Sequence, residues 1–310
     1  MSATTTHDTP PASTKLSRRA KLRSIRQRLT WRQAFNYLML LACSAIFIYP
    51  FIWLVSASFK PRGQVFDNRL IPDTFQPENY LTVWQAAPIG RWLFNSILIT
   101  ALAAISVTIS SGLVAWGFTY FQFKWRDRIF GIVLATMMLP GVVTMIPQFL
   151  IWSGIGMVGH RAPMSGMMPM WAGNLFGSAF YIFMLRQFFR RLPRDTFEAA
   201  RIDGAGNWRI FWKIAFPLAR PAFIVTLLFE ANAAWNELQR ALIYLQDSST
   251  WTVPRGLASI VARFGAGGGG EANWELVVTA AVITTLPLII LFFIGQKQFV
   301  DGIATTGAKG

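Results

Sequence analysis

The stretch that decides the fold reads Glu198-Ala-Ala-Arg-Ile-Asp-Gly-Ala205, and it runs on through Ile214 to Phe216-Pro217. Glycine takes up a left-handed backbone conformation at the least cost, so Gly204 is predicted to end a short helix. Proline lacks the amide donor that a helix interior requires, so Pro217 is predicted to stop a second helix. The segment therefore predicts a helix–turn–helix.

Polar residues flank the two predicted helices. Asp195 or Thr196 is predicted to cap the first helix, with Glu198 completing a start that resembles a capping box. Asn207 is predicted to cap the second. Ala199 and Ala200 are small enough to let another surface approach closely. Taken alone, this local pattern also fits an amphipathic connector that lies on a lipid surface with its arginines snorkelling.

The composition places these helices in a membrane protein. Hydrophobic residues make up 53% of the 310 residues and charged residues only 14%, which is too apolar for an ordinary soluble domain. A bilayer core needs roughly 20 apolar residues per helix. Six windows are predicted to span it: Phe35–Phe59, Trp92–Phe123, Ile129–Gly159, Ala162–Leu185, Ala222–Leu245 and Leu276–Gln296. The fold class is thus an all-α polytopic membrane protein with six transmembrane helices.

The basic residues predict the orientation of these spans. With both termini in the cytoplasm, 21 of the 29 Lys and Arg residues lie on the cytoplasmic side. They fall in Lys15–Arg32, Lys124–Arg128 and Arg186–Arg220, and at Lys297 and Lys309. The net charge of +15 is therefore interpreted as topology signals and anionic-lipid anchors rather than a nucleic-acid surface. The domain organisation that follows has a basic arm at 1–34, a membrane domain at 35–300 containing the loop 190–221, and a tail at 301–310.

Cofactor and metal chemistry finds little support in the sequence. Cys43 is the single cysteine, and His7 and His160 lie far apart, so no metal-ligand spacing is present. The run Gly265–Gly270 lacks the Lys-Ser/Thr ending of a nucleotide-binding loop. We expect no catalytic residue, no metal site and no cofactor in this chain.

A cluster of polar residues interrupts the fifth predicted span. Charges inside a span are costly and normally face protein or water, so the cluster is a candidate substrate pathway. On one continuous helix, Glu230 and Glu237 would share a face. The candidate residues are Glu230, Asn232, Trp235, Asn236 and Glu237. Polar groups in spans also serve as helix glue or gates, and that alternative remains open.

The 198–217 segment resembles the cytoplasmic EAA loop of the membrane subunits of binding-protein-dependent ABC importers. The surrounding RQFFRRLPRDTFEAARIDGAGNWRIFWKIAFPLARP is most similar to the carbohydrate-uptake branch, the maltose- and glycerol-phosphate-type permeases. Trp235-Asn236-Glu237 also resembles a Trp-Asn-acid element of that branch. Phe216 departs from the leucine usual in the family, which is a conservative change.

The resemblance implies a role for each part of the motif. Glu198 would make polar contacts with a separate ATP-hydrolysing subunit, Ala199 and Ala200 would pack closely there, and Gly204 would permit the turn. The motif is completed by Asp203, Ala205, Ile214 and Pro217.

The implied assembly pairs this chain with a second related permease, an ATPase dimer that binds ATP and Mg, and an extracytoplasmic solute-binding protein. The solute would be a sugar, oligosaccharide or polyol, and the location a bacterial inner membrane. Three alternatives are kept: an importer for a polyamine- or phosphonate-type solute, an ion-coupled carrier that uses the span carboxylates, and a membrane-embedded enzyme.

Overall fold

The computed structural model describes residues 31–67, 69–159, 162–265 and 272–307, the last 14 of these by backbone alone. Residues 1–30 of the predicted arm, residues 308–310 of the predicted tail, His7, His160 and most of the glycine run lie outside the described residues. Within the described ranges every regular element is a helix. The chain divides after Trp53 into two units; the first contains residues 31–53 of the first helix, and the contacts and cavities described below belong to the second, residues 54–310.

Fourteen α-helices are defined in the described residues. They are α1 Trp31–Ser58, α2 Glu78–Ala86, α3 Ile89–Tyr120, α4 Arg126–Thr136, α5 Gly141–Gly154, α6 Met168–Trp171, α7 Ala179–Phe189, α8 Arg194–Ile202, α9 Asn207–Ile210, α10 Phe216–Leu218, α11 Arg220–Trp235, α12 Gln239–Tyr244, α13 Val253–Ile260 and α14 Trp274–Gly307. Short 3-10 helices occupy Pro163–Gly166 and Ala172–Phe176, and π-helical turns occupy Phe211–Ala215 and Val261–Gly265.

Three helices of the described chain are long and apolar enough to cross a membrane, namely α1, α3 and α14. Two bent pairs raise that number to five if each pair is one span. In the first pair α4 and α5 are bent by 99° on either side of Pro140, and in the second Asn207–Leu218 and α11 are bent by 78°. The protein is thus a helical membrane protein with three to five candidate spans.

Three predicted spans differ from the structure. The window Ile129–Gly159 is broken between α4 and α5. The window Ala162–Leu185 is not one helix, since only α7 within it exceeds five residues. The window Ala222–Leu245 is interrupted after Trp235, where α11 ends and α12 begins four residues later. Apolar composition indicates burial in a bilayer but does not locate the breaks, because a broken helix is tolerated wherever neighbouring protein satisfies its freed backbone groups.

Helix α3 lies at the centre of the second unit and packs against α7 and α11. Small residues line its inward face, where Ala104 and Thr108 are both buried, and small side chains allow helices to approach closely. At Gly112 an added Cβ would lie 2.3 Å from a ring carbon of Phe223 on α11. The absence of a side chain there is what lets the two helices approach.

Candidate functional site

The helix–turn–helix predicted from the sequence is present. Helix α8 ends at Ile202, and Gly204 follows with φ of +79°, the left-handed conformation that glycine accepts most readily. The Ala205 amide donates to the Ala200 carbonyl at 2.9 Å, and the Gly204 amide donates to the Arg201 carbonyl at 3.1 Å. These two bonds form a Schellman motif, which satisfies carbonyls at the end of a helix.

The ends of the short helices differ from the predicted caps. Helix α8 begins at Arg194 with Pro193 in the cap position, and no side chain caps it, so the prediction for Asp195 or Thr196 was wrong. Gly206 likewise precedes the next helix in place of Asn207, which is its first residue. Helical structure also does not stop at Pro217: the π-helical turn Phe211–Ala215 leads into α10, and Pro217 lies in the first turn of that helix, where its missing amide is not needed.

The residues of the motif divide between two faces. One set is exposed: Glu198, Ala199, Asp203, Gly204 and Pro217. The other set is half-buried and packs on the hydrophobic core: Ala200, Ala205 and Ile214. The exposed side of the element therefore carries Ala199 and Gly204 together with the large side chains of Ile202 and Trp208, and the opposite side packs on the core.

Aromatic residues attach this element to the membrane helices. Phe197 of α8 is buried with its ring centroid 5.1 Å from that of Trp116 on α3. Trp116 also contacts Phe189 of α7 at 5.4 Å and Phe211 at 6.1 Å. Interdigitated aromatic rings of this kind leave little room for independent movement. The helix–turn–helix is therefore packed directly against α3.

The second candidate region centres on Glu230, which is half-buried near the end of α11. The side-chain amide of Asn174 donates to Glu230 Oε1 at 2.6 Å, and Tyr181 of α7 lies near the same carboxylate. Buried carboxylates are stable only when their oxygens have such partners. Glu230 thus joins α11 to the broken segment before α7.

The remaining predicted pathway residues do not share one helical surface with Glu230. Glu237 lies in the connection after α11, where its Oε1 accepts from the backbone amide of Arg240, in the first turn of α12, at 3.0 Å. The prediction of one face for both carboxylates was wrong, because it assumed a continuous helix. Asn232 and Asn236 are exposed, and the Asn236 amide donates to the Asn232 carbonyl at 2.8 Å.

Two cavities border this region. One of about 300 Å³ lies among Gln148 and Trp152 of α5, Asn174 and Arg240. The other, of about 470 Å³, is lined mainly by apolar groups together with Trp235, Asn236, Thr284 and Thr285. Sequence reasoning missed Gln148, Trp152 and Asn174 as cavity residues. Gln148 and Asn174 do stand as isolated polar residues in two of the apolar windows, a signal that could have identified them.

The connection between α1 and α2 is held by a buried cation. Lys60 is fully buried and pairs with Asp67, and the Asn79 amide donates to the carbonyls of Ser58 and Lys60, each at 3.0 Å. The hydrogen bond from Lys60 lowers the pKa of Asp67 below its ordinary value. These contacts join the end of α1 to the start of α2.

The fold and these sites define a polytopic helical membrane protein with an anchored helix–turn–helix. Residues 104–305 match the family described as the binding-protein-dependent transport system inner membrane component. The match covers well over half of the chain, and the chain belongs to this family.

Similar proteins with assigned roles are found in several bacteria. The chain is 28% identical to the diacetylchitobiose uptake system permease protein NgcG of Streptomyces coelicolor, over 87% of each chain. It is 28% identical to the arabinooligosaccharides transport system permease protein AraQ of Bacillus subtilis, over 88% of this chain and 94% of that one. It is 30% identical to the sn-glycerol-3-phosphate transport system permease protein UgpE of Yersinia enterocolitica, over 87% of this chain and 95% of the relative.

A solved structure shares the fold. A chain from a bacterial ABC transporter that imports the acidic polysaccharide alginate superposes with a TM-score of 0.72 and 23% identity. The match covers 93% of this chain and 99% of the other.

Proposed function

We propose that the chain is the permease subunit of an ATP-driven importer, in which it forms half of the translocation pathway. The observation that carries this proposal is the helix–turn–helix of residues 194–218, exposed at Glu198 and Ala199 and anchored at Phe197. Coupling between subunits requires a rigid element that makes contacts on both sides. The exposed face would dock on a separate ATPase dimer, which binds ATP and Mg, and the buried face would move α3. The chain is then not an enzyme and holds no cofactor of its own.

The proposed topology has six spans, with both termini and the helix–turn–helix in the cytoplasm. The excess of basic residues on that side supports it. In this arrangement α7, with the broken segment before it, completes the set of spans. The connection that contains Lys60 and Asp67 then lies outside, where it would form part of a docking surface for a solute-binding protein. A second related permease would supply the other half of the pathway.

The proposed solute is a sugar, oligosaccharide or polyol. The named relatives transport diacetylchitobiose, arabinooligosaccharides and glycerol 3-phosphate. The cavity of about 300 Å³ offers an indole face at Trp152 and polar groups at Gln148 and Arg240. Indole faces and amide groups suit the C–H surfaces and hydroxyls of a sugar ring. The other proposed pathway residues are Glu230, Asn232, Trp235, Asn236 and Glu237. Of these, Trp235 and Asn236 line the second cavity, of about 470 Å³.

Copurification from the native membrane tests the proposal. The tagged chain, isolated in mild detergent, should bring down two copies of an ATPase and one homologous permease. Replacement of the exposed Ala199 by tryptophan should abolish recovery of the ATPase, because the bulky ring would prevent close docking. The same replacement at Gln85, exposed on α2 at the proposed outer face, should leave recovery unchanged. Recovery of the wild-type chain without any nucleotide-binding partner would overturn the proposal.

Two other transport functions use the same residues. An importer for a polyamine or phosphonate would also copurify with an ATPase and a second permease. Screening ligands against the cognate solute-binding protein distinguishes it from a sugar importer. An ion-coupled carrier would use the carboxylates of Glu230 and Glu237. Depleting ATP while the ion gradient is held should stop transport by the importer but not by the carrier.

A further inference from the structure

A cavity of about 250 Å³ lies beside the helix–turn–helix, between α8 and the ends of α3 and α7, and the exposed Glu198 forms part of its wall. One water occupies about 30 Å³ in the liquid, so the cavity has room for a group of several heavy atoms. The residues of its wall that this argument uses are Trp116, Tyr120, Gln122, Arg190, Arg194 and Arg201.

The wall is strongly cationic. Arg190, Arg194 and Arg201 contribute three guanidinium groups, and Glu198 contributes one carboxylate. Arg190 also lies close enough to Arg186 and Asp127 to interact with both charges. Guanidinium groups present paired N–H donors whose spacing matches the oxygens of a phosphate or carboxylate.

The neutral groups of the wall are also donors. Trp116 is 96% buried, and neither its indole N–H nor the Tyr120 hydroxyl has a hydrogen-bond partner among the described residues. Gln122 already uses its carbonyl oxygen to accept from Arg126 at 2.9 Å, so its NH₂ group remains to donate. Buried donors without acceptors are costly, and an acceptor supplied by a ligand would remove that cost.

We infer that this cavity binds a phosphate group. A phosphate carries negative charge and several acceptor oxygens, which complements a wall of donors and net positive charge. Arg201 lies over the ring of Tyr120, with its guanidinium carbon 5.2 Å from the ring centroid, and its movement would open the phenol and indole to the ligand. The site goes beyond the proposed transport function. Only its position at the cytoplasmic leaflet, where anionic phospholipid headgroups are found, rests on the proposed topology.

Native mass spectrometry of the full-length chain, in whatever assembly it purifies, tests the site. Vesicles of phosphatidylglycerol and of phosphatidylcholine are the probes, and the chain should retain phosphatidylglycerol preferentially. R201A should weaken that retention about tenfold, the effect of losing one charge-assisted hydrogen bond. Y120F, which removes only a hydroxyl, should weaken it severalfold. The matched control is R209A, which removes an exposed arginine of the same helix–turn–helix that does not line the cavity.

Titration with inorganic phosphate separates the two sources of the ligand. Displacement of phosphatidylglycerol by millimolar phosphate supports a site for the free ion. Retention against phosphate, with loss in R201A, supports a site for a lipid headgroup. Equal losses in R201A and R209A, or no preference for phosphatidylglycerol, would overturn the inference and leave only a diffuse basic surface. None of these results depends on recovery of an ATPase. A failure of the phosphate site can therefore be distinguished from a failure of the proposed transport function.

Discussion

Phe197 of α8 lies edge-on to Trp116 of α3, with ring centroids 5.1 Å apart and ring planes inclined by 69°. The two residues are far apart in the chain, and their contact is what fixes the helix–turn–helix to the central membrane helix. Edge-to-face pairs contribute about 0.5–1.5 kcal/mol beyond the burial of their area. The contact is therefore both an anchor and, in the proposed importer, the route by which motion leaves the helix–turn–helix.

Removing the Phe197 ring should detach the element. Replacement by alanine should lower the free energy of unfolding by about 3–5 kcal/mol, because a buried aromatic side chain is lost and a cavity remains. Thermal unfolding in detergent measures the loss. Trp208→Ala is the control, since Trp208 is 65% exposed in the same segment. In the reconstituted assembly F197A should reduce transport more than ATP hydrolysis, and equal reduction of both would contradict transmission through this contact.

The turn at Gly204 should tolerate no side chain without strain. An added Cβ would meet nothing within 4 Å, so any effect of Gly204→Ala comes from the φ of +79° alone. A left-handed conformation costs an L-residue roughly 1–2 kcal/mol, and that loss of stability is expected. Gly206→Ala is a matched control two residues away, with equal space and an ordinary φ of −69°. Equal stability of the two variants would show that the turn rearranges freely.

The close approach of α3 and α11 should depend on Gly112. Gly112→Ala places a methyl group 2.3 Å from a carbon of Phe223, whose ring is itself buried, and should cost about 1–3 kcal/mol. Gly117→Ala on the same helix meets nothing within 4 Å and should be neutral or stabilising by about 0.5–1 kcal/mol. Melting temperatures compare the pair. Combining G112A with Phe223→Leu should restore stability, and no recovery would mean that the clash lies elsewhere.

Removing the amide that hydrogen-bonds to Glu230 should destabilise the folded protein. Asn174→Ala takes away the donor at 2.6 Å and should cost about 1–3 kcal/mol, the penalty for an unsatisfied buried polar group. Asn174→Asp should cost more, because it sets a second carboxylate against the first. The control is Asn232→Ala, which alters an exposed residue of α11. If N174A and N232A melt at the same temperature, the Asn174 contact contributes nothing to stability.

The ion pair of Lys60 and Asp67 predicts the direction of an acid effect. Because the pKa of Asp67 is lower in the folded chain, its stabilising contribution is complete above the ordinary value of 3.8 and is lost as the pH falls through the folded value. Stability from this pair should therefore be constant between about pH 5 and 8 and decline only in stronger acid.

Asp67→Asn should remove that acid dependence and lower stability at neutral pH, since buried Lys60 would lose its partner. Asp73→Asn, which breaks the exposed pair with Arg69, is the control and should change little. Unfolding curves at several pH values check both variants. An unchanged acid limb in D67N would assign the effect to other carboxylates.

The sequence alone determined the features that depend on local chemistry. Long apolar windows indicate a membrane protein, because the bilayer core excludes charged and unpaired polar groups whatever the surrounding fold. The turn at Gly204 was predictable for a similar reason, since the left-handed conformation is a property of one residue and its neighbours. The existence of the helix–turn–helix followed from these local preferences, whereas its caps and its end at Leu218 did not.

Only the tertiary structure decided where the apolar windows break and which polar groups meet. Asn174 and Glu230 are 56 positions apart, and the local sequence around either residue does not predict their hydrogen bond. The end of α11 at Trp235 was likewise not predicted, because an argument from helical periodicity assumes a continuous helix. It takes no account of neighbouring segments that can satisfy the freed backbone groups of a broken helix. Short-range preferences set the elements of this protein, and long-range hydrogen bonds and aromatic packing set the arrangement of its candidate sites.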